Sequence, residues 1–156
     1  MDSSISKTIL IVEDNSDDAE LFGLLLGHSD RDAKIIHAGS LTVAADAMRK
    51  VFVDCVVLDL GLPDSEGLKS VRVLQELSPQ SAIVVVTGSS RVSAFDSINA
   101  GAEDHIVKGN TAPSDITDRI NLAIIRHRVT LRFASLRKSV DEYAGEIFKS
   151  RERQDK

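Results

Sequence analysis

The sequence predicts an α/β fold: a doubly wound, five-stranded parallel sheet in the order 2-1-3-4-5, followed by an extended C-terminal helix. Three observations lead there. Short apolar runs alternate five times with segments of helical periodicity, which implies parallel strands joined by crossover helices. Three of the runs are apolar throughout, as central strands covered on both faces must be, while the other two are shorter and mixed, as edges are. Four of the runs release polar residues at their C-terminal ends, where open α/β sheets keep their chemistry.

The elements follow in order. Residues 9–12 (Ile-Leu-Ile-Val) read as a buried strand ending in Glu13 and Asp14. Asn15-Ser16-Asp17-Asp18 offers caps and acids that favour a helix N-terminus, and Ala19, Phe22, Leu25 and Leu26 give helical spacing up to Gly27. Residues 34–38 read as an edge strand. Ser40 caps a second helix with Leu41, Ala44, Ala45 and Met48 on one face. Residues 53–58 form the next strand, with Asp59 at its end and a loop punctuated by Gly61, Pro63 and Gly67. Leu68, Val71, Leu74 and Leu77 mark a third helix, stopped by Ser78-Pro79. Ile83-Val84-Val85-Val86 is entirely β-branched and is the clearest strand. Thr87-Gly88-Ser89-Ser90 follows it. Val92, Phe95 and Ile98 mark a fourth helix closed by Gly101, residues 104–107 a last short strand ending at Lys108, and Pro113-Ser114-Asp115 the start of a fifth helix.

Composition narrows the function classes. The 156 residues carry a formal charge of −5, divided as −7 over residues 1–128 and +2 over residues 129–156. An acidic body argues against nonspecific binding of nucleic acid. No apolar run approaches a membrane span, and Met1-Asp2-Ser3-Ser4 lacks the features of a signal peptide, so a cytoplasmic protein is expected. The one cysteine, Cys55, sits in an apolar run and reads as a small buried hydrophobe.

In a parallel sheet the strand ends share one edge, because the crossovers are right-handed. Glu13, Asp14, Asp59, Thr87 and Lys108 therefore surround one crevice. Each alone has an ordinary explanation as a cap, a turn residue or a solvated side chain; the argument rests on their coincidence. Three clustered carboxylates repel one another unless a cation is present. Oxygen ligands of this kind suit Mg²⁺. Asp59 is then placed as a nucleophile towards a phosphoryl group, with Lys108 as a point charge and Thr87 as a hydrogen-bond donor to its oxygens.

These residues resemble the receiver domain of bacterial response regulators in two-component signalling, a flavodoxin-like fold. The resemblance covers residues 6–128. It rests on Glu13-Asp14, on Leu58-Asp59-Leu60-Gly61-Leu62-Pro63-Asp64, on Thr87-Gly88 and on the run Gly101-Ala102-Glu103-Asp104-His105-Ile106-Val107-Lys108. It implies that Asp59 accepts phosphoryl from a sensor histidine kinase. It implies Mg²⁺ held by Glu13, Asp14, Asp59 and the backbone carbonyl of Gly61. It also implies that Thr87 and His105 form a switch pair: Thr87 moves to a phosphoryl oxygen and His105 turns inward behind it, altering the surface at residues 91–128. Gly61 and Ser89 occupy the positions that tune loss of the phosphoryl group. The chemistry is confined to Asp59 itself, so the chain is not expected to be an enzyme acting on other substrates.

Two positions depart from the family pattern. Gly109 stands where proline usually follows the lysine, leaving the loop that carries Lys108 without a rigid turn. His105 stands where tyrosine or phenylalanine is usual; it reads first as a smaller rotameric switch residue, and its titration near physiological pH offers as an alternative a bias on the switch.

Beyond the receiver, residues 129–156 read as a helical extension. Leu122, Ile125, Val129, Phe133, Leu136, Val140, Tyr143 and Ile147 follow a spacing of 3-4-4-3-4-3-4, a heptad-like seam with one four-residue step inserted. A seam that leaves the domain pairs with a second copy or another protein. The polar end from Ser150 to Lys156 is expected to be disordered. Two further readings compete: a phosphorelay intermediate passing phosphoryl to a histidine phosphotransfer protein, or the N-terminal part of a larger regulator. A nucleotide-binding enzyme of the same fold is disfavoured, because Glu13-Asp14-Asn15 stands where a glycine-rich phosphate loop would be.

Overall fold

A computed structural model describes residues 6–88 and 91–154. The order of elements is β1 (Thr8–Val12), α1 (Ser16–Ser29), β2 (Lys34–Ala38), α2 (Leu41–Lys50), β3 (Cys55–Asp59), α3 (Lys69–Leu77), β4 (Ala82–Thr87), α4 (Ala94–Asn99), β5 (Asp104–Val107) and α5 (Pro113–Gln154). The strands form one sheet in the order β2-β1-β3-β4-β5, with all pairs parallel. The fold expected from the sequence is thus the one observed. β1, β3 and β4 are central and covered on both faces; β2 and β5 are the edges.

Alternation along the strands separates two cores. Leu10, Val12, Val56, Leu58, Ile83 and Val85 face α2 and α3, meeting Ala44, Met48, Val71 and Leu74. Ile9, Ile11, Cys55, Val57, Val84 and Val86 face α1 and α5, meeting Phe22, Leu26, Ile116, Ile120 and Ile124. Each fully buried Val, Leu, Ile, Phe or Met side chain is worth roughly 1.5–3 kcal/mol, so these two layers supply most of what holds the helices to the sheet. Cys55 is fully buried among them, and burial pushes its thiol pKa up, leaving it inert.

The caps follow the sequence. The Asn15 side chain accepts from the backbone N–H of Asp17 and Asp18, and Ser40 accepts from Val43. Asp64, in the loop after β3, accepts from the backbone N–H groups of Leu41 and Thr42 and ties that loop to the start of α2. α1 passes through Gly27 and ends at Ser29, because one helical glycine costs only about 1 kcal/mol and the Ser29 hydroxyl bonds back to the Leu25 carbonyl and to Thr117 of α5.

α4 differs from expectation. Phe95 and Ile98 are exposed at 73% and 48%, while the buried face presents Ser97 and Ala100. The apolar spacing in this helix points to solvent. Ser97 replaces it inside by hydrogen bonding to the Ser93 carbonyl and to His105 Nδ1.

α5 runs down the α1 side of the sheet and continues past it. Its base is fastened at the edge of the sheet opposite the carboxyl ends. Arg128 contacts Asp54 at 2.6 Å, and His127 is held between Glu103 Oε1 and the Pro79 carbonyl at 2.8 and 2.9 Å. The helix is regular to Gln154, beyond the point where the sequence suggests disorder; no proline lies in it after Pro113, and Arg151 and Arg153 suit the negative end of the helix dipole. Asp155 and Lys156 lie outside the described residues.

Gly101 closes α4 with φ +112°, a conformation that side chains resist. Gly101→Ala is expected to destabilise the domain by roughly 1–3 kcal/mol, read as a lower urea midpoint at unchanged slope. A midpoint equal to the parent's would mean that the turn relaxes without strain.

Candidate functional site

The parallel register brings the predicted residues to one edge. Val12 lies beside Leu58, so Glu13 follows next to Asp59; Asp59 pairs with Val86, and Thr87 with Val107, so Lys108 follows beside Thr87. A backbone hydrogen bond from Lys108 N–H to the Thr87 carbonyl, 2.9 Å, extends the ladder one step further. The backbone N–H of Glu13 bonds in the same way to the Ala38 carbonyl at 3.0 Å.

Glu13, Asp14 and Asp59 each present a carboxylate oxygen, and these oxygens lie within 4.8 Å of one another. Glu13 is buried, Asp59 partly so and Asp14 exposed. Such a set of hard oxygen donors, open to water on one side, fits a Mg²⁺ ion that retains several waters.

The ammonium group of Lys108 reaches three carboxylates. It lies 2.5 Å from Glu13 Oε2, 2.8 Å from Asp18 Oδ2 and 3.4 Å from Asp59 Oδ2. Burial works against the charge of Lys108, yet the bonds to Asp18 and Glu13 and the nearby Asp59 outweigh it and raise its pKa. Glu13 shows the opposite balance. Desolvation raises its pKa, aided by the Asp59 charge, and the bonds from Lys108 and the Asn15 N–H only partly compensate.

Asp18 was read in the sequence only as a first-turn acid of α1. The available signal is its place four residues after Asp14 at a helix start aimed at the crevice.

Gly61 lies directly over Asp59. Its N–H donates to Asp59 Oδ1 at 3.1 Å, and a Cβ there would sit 3.6 Å from both carboxylate oxygens. Glycine thus leaves that side of Asp59 uncovered. Ser89, the other position of interest, lies outside the described residues.

The loop after Lys108 is better defined than the missing proline suggests. The Asn110 N–H bonds to the Val107 carbonyl at 3.3 Å, and Gly109 has φ +82°. With Lys108 and Gly109 at the two central positions, this is a type II turn, whose third residue requires positive φ. Glycine supplies a fixed turn by its own route. Among the described residues no peptide bond is cis.

Thr87 is buried at the end of β4. His105, one strand over, points inward and is 7% exposed, so the inward turn that the resemblance implies is already made in this structure, held by the contact with Ser97. Its Nδ1 lies 2.8 Å from Ser97 Oγ, and its carbonyl accepts from Arg119, which also clasps Asp104. Burial lowers the His105 pKa, the Arg119 charge lowers it further, and Asp104 opposes both. The neutral imidazole is therefore favoured, and the titration that the sequence places near physiological pH moves to a more acid window.

Comparison with known proteins agrees with this geometry. The model of the response regulator receiver domain matches residues 9–121. The DNA-binding response regulator MtrA of Mycobacterium bovis is 28% identical over 124 residues, covering 80% of this chain and 53% of the relative. The KDP operon transcriptional regulatory protein KdpE of Escherichia coli is 32% identical over 77 residues, covering 49% of this chain and 34% of the relative. The chain spans about half the length of MtrA and less of KdpE. Among solved structures, a CheY-like receiver domain protein from Methanospirillum hungatei JF-1 superposes with a TM-score of 0.72 at 24% identity, covering 80% of this chain and 98% of that one. A response regulator receiver domain from Clostridium thermocellum gives 0.70 at 23%, covering 80% and 98%. With its sheet order, its carboxylate cluster and this match, the chain belongs to the response regulator receiver domain family of two-component systems.

Proposed function

We propose that this chain is a phosphorylation-driven switch in which Asp59 takes a phosphoryl group from a sensor histidine kinase. The observation that carries the reading is the convergence of Glu13, Asp14 and Asp59 on one point, with the Lys108 ammonium beside them. In the transfer, an Asp59 carboxylate oxygen forms a bond to phosphorus. The phosphorus–nitrogen bond of the phosphohistidine breaks, and its electron pair returns to the imidazole, which takes up a proton. Glu13, Asp14, Asp59 and the Gly61 carbonyl would hold Mg²⁺; when bound, it neutralises charge on the phosphoryl oxygens.

Lys108 exchanges part of its carboxylate contacts for a phosphoryl oxygen. Phosphorylation adds about −1.5 to −2 charges and three acceptor oxygens. Thr87 donates to one of those oxygens, and the shift passes to His105, Ser97 and the α4–β5–α5 surface. The chain acts on no other substrate. Its output is a protein contact, including pairing of two copies along the α5 extension. Seven exposed apolar positions there support this output: Val129, Phe133, Leu136, Val140, Tyr143, Ile147 and Phe148.

Three outcomes are expected. Asp59→Asn should abolish labelling by acetyl phosphate, followed by phosphate-affinity electrophoresis; stoichiometric labelling of that variant would remove Asp59 from its role. Glu13 has a raised folded pKa, so its contribution to stability is present below its ordinary value of 4.5 and is lost as pH rises through the folded value. At pH 7 its ionised form opposes folding. Glu13→Gln should therefore raise the thermal midpoint in Mg²⁺-free buffer by about 2–4 °C while removing the further rise that Mg²⁺ gives the parent. A lower midpoint would show that the Lys108 contact dominates.

For His105 the sign is reversed. Its depressed folded pKa gives the inward arrangement stability that is present above the ordinary value of 6.5 and lost as pH falls through the folded value. The chemical-shift response to beryllofluoride should differ between about pH 8 and pH 5.5 in the parent and not in His105→Phe. An equal response in the parent at both values would remove His105 as a proton-sensitive element.

A further inference from the structure

We infer that the exposed seam of α5 pairs with the same seam of a second copy, and that the two helices run antiparallel. The inference rests on the proposed pairing through the extension and adds its direction. Among the described residues nothing covers the seam: Val129, Phe133, Leu136, Val140, Tyr143 and Ile147 are exposed at 47, 68, 56, 65, 67 and 39%.

Charge sets the direction. Residues 126–138 hold Arg126, Arg128, Arg132, Arg137 and Lys138 with no acidic residue. Residues 139–147 hold Asp141, Glu142 and Glu146 with no lysine or arginine. Arg126 and Arg128 are already engaged by the domain body, through Asp104 and Asp54. Arg132, Arg137 and Lys138 lie beyond it. A parallel pair would set each basic block beside its twin. An antiparallel pair sets each basic block beside an acidic one.

The apolar spacing permits this. From Val129 to Ile147 it is 4-3-4-3-4, the same read in either direction. With the two-fold axis at Lys138, Val129 faces Ile147 of the second copy, Phe133 faces Tyr143 and Leu136 faces Val140. Each of these six positions then has an apolar partner.

The flanking positions agree. In the antiparallel register Arg132 lies beside Glu146 of the second copy, and this contact occurs twice. Arg137 meets its own copy once, at the axis, one turn from Asp141. In the parallel register Arg132 meets Arg137 twice, which cancels the two contacts of Glu146 with Arg151. The complementarity is internal to one helix, so the occupant it specifies is another copy of that helix rather than an unrelated protein.

Cysteine cross-linking of the full chain tests the direction, with light scattering on the parent as the companion measurement. Phe133→Cys and Tyr143→Cys replace exposed residues, and the native Cys55 is buried and does not compete. Under mild oxidation, a mixture of the two variants should give at least about tenfold more disulfide than either alone, since cross-linking needs Cα atoms within about 7 Å. Disulfides within each variant alone, and none gained on mixing, would make the pair parallel and overturn the direction while leaving dimerisation standing. A dimer mass with no cross-link in any combination would place the interface elsewhere and overturn the inference. A concentration-independent monomer mass would overturn both this inference and the proposed pairing.

Discussion

The lysine ammonium at the end of β5 is the interaction on which the carboxyl edge of this molecule depends. Three acidic side chains from β1, α1 and β3 converge there, and like charges at such separations repel by several kcal/mol in a partly desolvated crevice. Lys108 sits among Glu13, Asp18 and Asp59 and makes the assembly tolerable. It does so incompletely, since one ammonium stands among Glu13, Asp14, Asp18 and Asp59, and burial raises the pKa of Glu13 besides. The crevice therefore retains an excess of negative charge, which a divalent cation would relieve. In the proposed transfer, the same ammonium that stabilises the cluster would meet the phosphoryl oxygen.

Much of this was legible in the sequence because the parallel sheet does the geometric work. Once five apolar runs are recognised, their ends must share an edge, and Glu13, Asp14, Asp59, Thr87 and Lys108 follow without knowledge of the loops. What escaped prediction depends on side-chain direction rather than on order along the chain. Asp18 belongs to a helix start, and only the tilt of α1 shows that it faces Lys108. The spacing of Val92, Phe95 and Ile98 marks a helix here but not which side packs; a helix of six residues can turn either side inward, and the hydrogen bonds of Ser97 decide. Gly109 reads in the sequence as the absence of a proline; that a turn still forms there, with the positive φ that glycine admits without strain, is seen only in the structure.

α5 serves two surfaces with one helix. Ile116, Ile120, Ala123 and Ile124 close the second core, and beyond His127 and Arg128 the inward face has nothing left to cover. The outward positions Leu122 and Ile125 begin a stripe that continues without interruption past the domain. The spacing that announces the stripe is visible in the sequence. Its exposure is not, since Leu122 and Ile125 lie within the packed part of the helix and only the structure shows them turned away from the sheet.

The fastening of α5 at the far edge of the sheet makes the extension a lever. The fulcrum is the clasp of His127 and Arg128 on Pro79, Glu103 and Asp54, one from each loop that leads into β3, β4 and β5. From Arg128 to Gln154 the arm is about 39 Å long at 1.5 Å per residue. A tilt of about 3° at the fulcrum, well within what sliding helix contacts absorb, carries the tip through about 2 Å. Displacements too small to notice inside the domain thus arrive at the far end of the helix multiplied by its length.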